Sequence, residues 1–487
     1  MKILIVTSEA VPFAKTGGLA DAVPALAAAM KKTGHDVRVI MPRYYGINRD
    51  ALTKTAAPLG VPMGGGETWC GVFTTFLPNT KVPVYFLDQE ELYGRTGLYG
   101  PDGSSSWPDN DRRYAFLSAA AFQLCRSLQW IPDILHAHDW QAAPAVWMLA
   151  VRERFKDFSH TASVLTVHNL GYQGIFPVSS LGVFDNDFQQ RIHASGGLQF
   201  EEVNFLAAGL AHADRITTVS PTYAQEILRD EYSERLGALL NSRKDRITGI
   251  LNGMDYSEWN PASDKALAPD NYNARTLRKK EKVKLRLQME MGLPLNLEIP
   301  LFGMVTRLTG QKGVDLLMDA RGSGTQAFRE GRAQLAVLGS GEKYFEDAMK
   351  NLAGCFPASV GVRLAFSGPL SRLIEGGSDF FLMPSRYEPC GLNQMYSLRY
   401  GTLPVVRHTG GLADTVTDLN GHPENGNGFV FNNADAEDMG DAIRRAAEFF
   451  SDKKALKAAR RRAMKQRFSW INSAQGYLEV YGKALGK

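Results

Sequence analysis

The sequence predicts an α/β protein built from two Rossmann-like domains, each with a doubly wound parallel sheet. Short aliphatic and β-branched runs alternate with longer helical patterns along most of the chain, and this alternation starts again in the second half. The chain has 487 residues, which is too long for one ordinary hydrophobic core. We expect the two domains to face each other across a deep cleft, because ligands bind at the carboxyl-end loops of such sheets.

Apolar runs in the first half predict buried strands at residues 3–7, 37–41, 82–87, 134–137, 163–167 and 216–219. Helical patterns separate several of them, at residues 20–32, 110–129, 140–155 and 201–212. Continuous apolar strands between helices are typical of a parallel sheet covered on both faces. The first helix is predicted to end at Gly34, because glycine readily adopts the left-handed conformation that closes a helix.

The pattern restarts after residues 255–261, where a polar, basic helix is followed by a second series of apolar runs. These runs predict strands at residues 301–305, 334–338, 362–366, 380–383 and 404–406. We therefore place the first domain at residues 1–255 and the second at residues 256–466. Residues 467–487 contain an amphipathic pattern, and we expect them to form a helix that packs back on the first domain.

The composition indicates a soluble globular protein, with 44% apolar and 22% charged residues. The four cysteines have no C-x-x-C spacing, which favours a reducing compartment over a disulfide framework or a thiolate metal site. The amino terminus begins as a strand without a leader pattern, and no apolar run approaches the length of a membrane span. We expect a cytoplasmic protein with no membrane partner.

Two basic runs, at residues 278–286 and 459–467, raise the question of nucleic-acid binding. Neither run is interleaved with aromatic residues that could stack on bases. Both have helical spacing, so we interpret them as solvated helix faces. The net charge of +4 is too small to indicate a partner by itself. We expect no nucleic-acid partner.

The segment K-T-G-G-L-A-D (15–21) joins the first predicted strand to the first predicted helix. Gly17 and Gly18 allow a positive φ, and their N–H groups can face an anion together with the helix amino end. Lys15 adds a positive charge. The alternative is a tight turn with a surface lysine. The letters T-G-G-L-A-D return at residues 409–414, again between a strand and a helix.

Two further segments, H-A-H-D-W (136–140) and T-V-H-N (166–169), end neighbouring predicted strands of the first domain. H-x-H-D is also a possible metal site, but no other histidine or carboxylate cluster clearly completes a ligand set. A single histidine at a strand end is usually structural. We expect a site because two strands deliver His138–Asp139 and His168–Asn169 to one edge of the sheet.

The second domain supplies cations and a carboxylate in loops after its strands. Arg307 and Lys312, in T-R-L-T-G-Q-K-G (306–313), flank a turn that is well placed to hold a diphosphate. Glu388, in P-S-R-Y-E-P-C-G-L (384–392), lies just before a predicted helix between proline and glycine. The alternative for Glu388 is a helix N-terminal charge, which stabilises a helix by only about 0.3 to 1 kcal/mol.

Six segments occur in one order over essentially the whole chain: K-T-G-G-L-A-D, H-A-H-D-W, T-V-H-N-L-G-Y-Q-G, T-R-L-T-G-Q-K-G, P-S-R-Y-E-P-C-G-L and H-T-G-G-L-A-D-T-V. In this combination the sequence resembles the glycogen and starch synthases, retaining glycosyltransferases of the GT-B fold. The bacterial members are the most similar, and they use ADP-glucose to extend an α-1,4-glucan at its non-reducing end. The resemblance implies that activity, with glycogen or a malto-oligosaccharide as acceptor.

The resemblance also implies roles for individual residues. Catalytic roles fall to Glu388, Asp139, His168, Arg307 and Lys312. Substrate contacts fall to Lys15, Gly17, Gly18, Tyr99, Asn169, Phe366, Tyr396, Thr409, Gly410 and Gly411. Tyr396 stands where many GT-B relatives have a second glutamate, and Phe366 stands where the family often has a tyrosine that stacks on adenine. Phe366 keeps the stacking surface and loses the hydroxyl contact.

The chemistry of transfer from a nucleotide sugar requires neutralisation of a departing diphosphate. Lys15, Arg307 and Lys312 with two helix amino ends can supply this charge, so we expect no metal and no cofactor. The sequence offers no clear carboxylate pair for double displacement, and we expect attack on the same face within an ion pair. Three alternatives remain open: a different donor or acceptor, such as UDP-glucose; an α-glucan phosphorylase; and a non-catalytic glucan- or nucleotide-binding regulator.

Overall fold

A computed structural model describes residues 1–55, 57–102, 105–194, 202–319 and 322–486. The chain divides into two compact units. The first unit contains Met1–Gly253 together with Trp470–Lys487, and the second contains Met254–Ser469. The sequence-based boundaries stood at residues 255 and 466, and the changes of unit lie after Gly253 and after Ser469.

The strands are β1 (Lys2–Val6), β2 (Asp36–Pro42), β3 (Thr53–Lys54), β4 (Leu59–Met63), β5 (Gly66–Phe76), β6 (Pro83–Asp88), β7 (Ile134–His138), β8 (Ala162–Val167), β9 (Ile175–Pro177), β10 (Glu202–Asn204), β11 (Arg215–Thr218), β12 (Ile247–Gly249), β13 (Leu301–Val305), β14 (Gln334–Leu338), β15 (Val360–Arg363), β16 (Phe380–Met383), β17 (Leu403–Arg407) and β18 (Phe429–Phe431).

The α-helices are α1 (Leu19–Lys32), α2 (Glu90–Tyr93), α3 (Asn110–Ser127), α4 (Asp139–Val151), α5 (Asn186–Ala194), α6 (Phe205–His212), α7 (Pro221–Glu226), α8 (Gly237–Ser242), α9 (Lys280–Met291), α10 (Gln326–Arg329), α11 (Lys343–Cys355), α12 (Gly368–Gly377), α13 (Asn393–Arg399), α14 (Gly410–Thr415), α15 (Ala436–Phe449), α16 (Lys453–Lys465) and α17 (Trp470–Ala484).

The first unit is built on a sheet with the order β12-β11-β8-β7-β1-β2-β6-β5-β3, and β4 pairs with β5. The strands from β12 to β6 are parallel, whereas β5 runs antiparallel to β6, β3 and β4. The strand order reverses at β1, which pairs with β2 on one side and β7 on the other. The loops that leave β1 and β7 therefore flank the switch point where such sheets bind ligands.

The second unit has a sheet of parallel strands in the order β15-β14-β13-β16-β17-β18. This is the strand order of a doubly wound sheet, with the switch point between β13 and β16. The loops after Val305 and Met383 leave the sheet at that point. The predicted fold class, parallel α/β sheets in two units, is confirmed.

The core of the first unit includes side chains from α17. Tyr477 and Tyr481 of this helix are at most 1% exposed and belong to the same apolar cluster as the central strands. The α1 helix ends at Lys32 with Thr33 as its C-cap, and Gly34 follows with a φ of 90°. The predicted glycine closure of this helix is confirmed.

Some predicted elements differ from the structure. Strand β15 ends at Arg363, so Phe366 lies beyond it in the loop before α12. The helix predicted at 140–155 ends at Val151, and a separate 3-10 turn follows. The helix predicted at 201–212 begins at Phe205, because Glu202–Asn204 pairs with β9 instead. Residue 201 lies outside the described residues.

The interpretation of the basic runs as solvated helix faces is wrong for three cations. Lys280 and Lys284 of α9 are 2% and 3% exposed. Lys284 Nζ lies 2.7 Å from Asp379 Oδ2, and Arg460 of α16 reaches the other oxygen of the same carboxylate at 2.5 Å. Burial lowers the pKa of Lys280 well below its ordinary value.

No helix within the described ranges is long and apolar enough to cross a membrane.

Candidate active site

The loop after β1 is built around a buried carboxylate that the sequence-based reasoning missed. Glu9 is 2% exposed. Its Oε2 accepts the backbone N–H groups of Thr16 at 2.5 Å and Gly17 at 3.2 Å, and its Oε1 accepts the Thr16 hydroxyl at 2.6 Å. The K-T-G-G segment therefore folds over Glu9. An acidic residue three positions after a buried strand was the available signal.

The two ends of K-T-G-G-L-A-D are joined by an ion pair. Lys15 Nζ lies 2.7 Å from Asp21 Oδ2, and both side chains are partly exposed. Neither Gly17 nor Gly18 has a positive φ, and Gly18 is helical at −67°. Neither glycine therefore uses the positive φ that the absence of a side chain allows. The Gly17 N–H donates to Glu9 and does not face outward to an anion.

Tyr99 contacts the same carboxylate. Its hydroxyl donates to Glu9 Oε1 at 2.5 Å and lies 2.8 Å from Ser8 Oγ. Burial, together with the nearby Glu9 carboxylate, raises the pKa of Tyr99 well above its ordinary value. The hydroxyl therefore remains a proton donor at physiological pH. Tyr99 and the K-T-G-G segment share one anchor, Glu9.

The ends of β7 and β8 bring two predicted pairs together. Asp139 Oδ1 accepts the backbone N–H of His168 at 2.6 Å, and the Asn169 N–H also bonds to this carboxyl group. His138 Nδ1 lies 2.9 Å from His168 Nε2. Parallel pairing of His138 with Thr166 places the two strand ends side by side. The residues predicted at this edge thus form one connected group.

The backbone and charge of Asp139 are both unusual. Asp139 has a φ of 57°, a left-handed conformation that is uncommon for residues other than glycine and costs about 1 kcal/mol or more. Burial raises the pKa of its carboxyl to about 7, although the N–H groups of His168 and Asn169 act in the opposite direction. The nearby Glu9 carboxylate adds to the increase. Strain and a shifted pKa at one sheet edge are typical of a functional site.

Burial keeps the neighbouring imidazoles neutral. It lowers the pKa of His168 to about 3 and the pKa of His138 well below its ordinary value. His136 is committed to hydroxyl partners, with Nε2 at 2.6 Å from Thr166 Oγ1 and Nδ1 at 2.7 Å from Tyr481 Oη. Among the described residues, no group of three or more histidine, cysteine, aspartate or glutamate side chains is placed to hold a metal ion.

In the second unit, a lysine and a glutamate from two loops form a close pair at the sheet switch point. Lys312 Nζ lies 2.6 Å from Glu388 Oε2, and Ser385 Oγ donates to the same oxygen at 2.8 Å. Gly313 has a φ of 66°, and a Cβ there would lie 2.0 Å from the Pro384 carbonyl oxygen. This glycine lets the Lys312 loop approach the Glu388 loop. Arg307 contacts Gln311 Oε1 at 3.5 Å.

The second T-G-G-L-A-D segment packs against the backbone of the Glu388 loop. Gly410 has a φ of 44°, and a Cβ there would lie 2.0 Å from the Glu388 carbonyl oxygen. A Cβ on Gly411 would lie 2.0 Å from the Cys390 carbonyl oxygen. The Gly411 N–H donates to the Glu388 carbonyl at 3.1 Å, and Thr409 is fully buried. Here the glycines are required for close approach.

The two aromatic residues predicted for this unit have different surroundings. The Tyr396 ring stacks on Trp259 at 3.6 Å between centroids with an angle of 6°, and Arg372 lies 4.1 Å from the Trp259 ring centroid. Tyr396 is therefore packed against another aromatic side chain. Phe366 is 93% exposed and leaves its ring available for stacking.

Comparison with known proteins gives the family. Residues 2–242 match the family model for the starch synthase catalytic domain, and residues 291–466 match the model for glycosyl transferases group 1. A glycogen synthase from Treponema denticola is 46% identical over 492 residues, covering 100% of this chain and 99% of that protein. A glycogen synthase from Myxococcus xanthus is 43% identical, covering 99% of each.

Solved structures of similar proteins agree with this family and its fold. The catalytic domain of starch synthase IV from Arabidopsis thaliana, bound to ADP and acarbose, is 31% identical with a TM-score of 0.89 and covers 100% of this chain and 99% of its own. A sucrose-phosphate synthase from Thermosynechococcus elongatus, 17% identical with a TM-score of 0.60 and with 100% and 99% coverage, shares the fold.

Proposed function

This chain belongs to the glycogen and starch synthase family, and on that premise we propose that it transfers glucose from ADP-glucose to the non-reducing end of an α-1,4-glucan with retention, releasing ADP. It is a GT-B hexosyltransferase of glycogen biosynthesis. The observation that carries the proposal is the Lys312–Glu388 pair at the switch point of the second sheet. There a cation and a carboxylate can serve the two charged parts of a nucleotide sugar, the diphosphate and the reacting glucosyl carbon.

The diphosphate is the leaving group, and its charge must be neutralised. We assign Arg307 and Lys312 to this role, together with Lys15. Two unit charges about 4 Å apart attract by about 4 kcal/mol at the effective dielectric near a protein surface. Thr409, Gly410 and Gly411 are assigned to the phosphate and the glucosyl group. Three cations of this kind make a divalent metal unnecessary, so we expect activity without one.

Glu388 is assigned to the glucosyl group. Lys312 and Ser385 already hold its Oε2, which fixes the carboxylate. A fixed carboxylate can accept glucosyl hydroxyls and stabilise the positive charge that develops on the sugar during transfer. Retention then follows from attack by the acceptor on the face that the diphosphate leaves, with the acceptor proton passing to a phosphate oxygen. A glycosyl-enzyme trapped on Glu388 or Asp139 would contradict this mechanism.

The first unit is assigned to the transferred glucose and the acceptor through Asp139, His168, Asn169 and Tyr99. Gly17 and Gly18 with Lys15 form its phosphate loop, in which the Gly17 N–H acts indirectly by holding Glu9. Phe366 is assigned to adenine, and its exposed ring supports this. Tyr396 is assigned to the donor side, with its ring held on Trp259. A glycogen or malto-oligosaccharide chain is the acceptor.

We propose a cytoplasmic location because all four cysteines are free thiols, three of them buried. This placement is compatible with a sugar-nucleotide substrate. Fractionation of cells with an antibody against the chain tests it directly. Recovery in a secreted or membrane fraction would contradict the proposal.

The deciding experiment is incorporation of labelled glucose into glycogen. We expect ADP-glucose to be used at least about tenfold better than UDP-glucose, and EDTA to leave the rate unchanged. Glucose 1-phosphate as the only donor should give no transfer, which distinguishes a phosphorylase. Glucan or nucleotide binding without transfer by any donor would instead indicate a non-catalytic binding protein. Glu388→Gln serves as the inactive control.

A further inference from the structure

The contact between His138 and His168 needs one donor and one acceptor. Their nitrogens Nδ1 and Nε2 lie 2.9 Å apart, which is a normal hydrogen-bond length. Burial holds the pKa of both rings below the ordinary value, so both are neutral at physiological pH and each carries one proton. Two arrangements of these protons are therefore possible.

The second nitrogen of His138 distinguishes the two arrangements. His138 is 1% exposed, and its Nε2 has no hydrogen-bond partner among the residues that the structure describes. If His168 donated, His138 would carry its proton on this buried Nε2 and leave an N–H group unsatisfied. Buried N–H groups without a hydrogen-bond partner are rare, because such a group gives up its bond to water and gains none in return. If His138 donates instead, its Nε2 carries no proton and no buried N–H group is left without a partner.

We propose that His138 is a positioning residue that donates its Nδ1 proton to His168 Nε2 and thereby fixes His168 as the tautomer with its proton on Nδ1. His168 then presents an N–H donor, and not an acceptor, on its other ring nitrogen. Under the proposed function, that donor serves an oxygen of the sugar or the phosphate. The assignment of the tautomer itself does not depend on the function.

The orientation of the His138 ring is fixed by its packing against His136. His136 lies on the same strand with its ring centroid 4.1 Å from that of His138. His136 is itself fixed at both nitrogens, by Thr166 Oγ1 and by Tyr481 Oη from α17. Thr166 Oγ1 also contacts Thr217 Oγ1 at 2.6 Å. His138 therefore packs on a ring that cannot turn without breaking two hydrogen bonds.

The tautomer can be observed directly. The full chain with ¹⁵N-labelled histidine gives a separate pair of nitrogen signals for each imidazole, and His168→Gln identifies the pair that belongs to His168. We expect the Nδ1 signal of His168 to be that of a protonated nitrogen and the Nε2 signal that of a bare one. A protonated Nε2 would overturn the proposal.

Two substitutions test the donor. His138→Leu removes it, and we expect His168 to lose its single tautomer and kcat to fall about tenfold, the effect of one lost hydrogen bond, with the KM for ADP-glucose within about twofold. His138→Asn places an amide N–H near the position of Nδ1, and we expect it to restore both the His168 signals and most of kcat. His160→Leu, at an exposed position of the same unit, is the matched control.

Each outcome is decisive. An unchanged His168 tautomer in His138→Leu, or failure of the folded His138→Asn to restore it, would overturn the proposal. If His138→Leu does not fold, the wild-type and His138→Asn spectra decide between the tautomers. If the wild-type chain shows the expected tautomer but no glucosyl transfer, the proposed function fails and the tautomer assignment stands.

Discussion

Lys312 Nζ lies 2.6 Å from Glu388 Oε2, so the cation assigned to the diphosphate also holds the carboxylate assigned to the glucose. The Glu388 side chain is 8% exposed and that of Lys312 is 17% exposed. In such a place, removal of one partner leaves a poorly solvated charge without compensation. The two residues should therefore behave as one unit in mutagenesis.

Substitution of either partner should reduce turnover strongly. We expect Lys312→Met and Glu388→Gln each to lower kcat by about 100-fold or more, the usual effect of losing one electrostatic contact to a transition state. The kcat of the double variant should be about the same as that of the less active single variant, because the two side chains act as one unit. Glucose incorporation from ADP-glucose measures this, with the exposed Lys343→Met as control. Losses that multiply would show that the two side chains act independently.

The two T-G-G-L-A-D segments should respond differently to a methyl group. Gly410→Ala and Gly411→Ala place a Cβ 2.0 Å from a carbonyl oxygen, and we expect the Tm to fall by about 4 to 8 °C, as for a loss of about 2 kcal/mol. Gly17→Ala has no described atom within 4 Å of its Cβ and should keep its Tm. Differential scanning calorimetry measures all three. Equal Tm values for Gly411→Ala and Gly17→Ala would contradict the described packing.

Asp139 should make stability fall as pH rises. Burial raises its folded-state pKa from 3.8 to about 7, so the folded state binds this proton more tightly than the unfolded state. The stabilisation is complete below about pH 4 and is lost as the pH rises through 7. Asp139→Asn keeps an oxygen for the His168 N–H and does not titrate. We expect the difference in Tm, variant minus wild type, to be several degrees larger at pH 8 than at pH 5. Asp50→Asn, at an exposed site, is the control, and its difference in Tm from wild type should not change with pH.

Phe366 should affect nucleotide binding without affecting stability. Because the side chain is 93% exposed, Phe366→Ala should change the Tm by no more than about 1 °C. Loss of stacking on adenine should raise the KM for ADP-glucose about tenfold, within the range of about 1 to 3 kcal/mol for a base on an aromatic ring. Phe366→Tyr should retain the wild-type KM, as should Leu295→Ala at another exposed position of the unit. An unchanged KM in Phe366→Ala would exclude the adenine assignment.

Substitution of Glu9 should lower kcat/KM more than substitution of its partner Tyr99. In the wild-type chain a charged oxygen of Glu9 accepts the N–H groups of Thr16 and Gly17. Glu9→Gln places either an amide nitrogen, which cannot accept them, or an uncharged oxygen at that position. We expect kcat/KM to fall about 10- to 100-fold as the loop loses its anchor. Tyr99→Phe removes one contact to the same carboxylate and should have a smaller effect. Steady-state kinetics with ADP-glucose measures both, and a larger loss in Tyr99→Phe would contradict this order.

The sequence predicted those site features that depend on strand ends. His138–Asp139 and His168–Asn169 come together because parallel neighbours end at the same edge, a rule that needs only the position of each apolar run. Glu9 was missed because its partners, from the loop at Thr16 and from Tyr99, meet it only in the folded chain, so that only its position after a strand could have signalled it. The two T-G-G-L-A-D segments share their letters but differ in φ, because Gly410 must avoid the Glu388 carbonyl and Gly17 meets no such neighbour. Only tertiary contacts distinguish them.

The position of α17 has a consequence for biosynthesis. Tyr477 and Tyr481 lie in the apolar core of the first unit, although the ribosome adds them after the whole of the second unit. A nascent chain that has just finished Gly253 therefore lacks part of the core, including the hydroxyl that holds His136. Domains generally fold in the order of their synthesis, but here the first unit can reach its final packing only when translation is nearly complete. A chain that terminates before Trp470 would carry every proposed site residue and still leave the strand of His138 and Asp139 without its support.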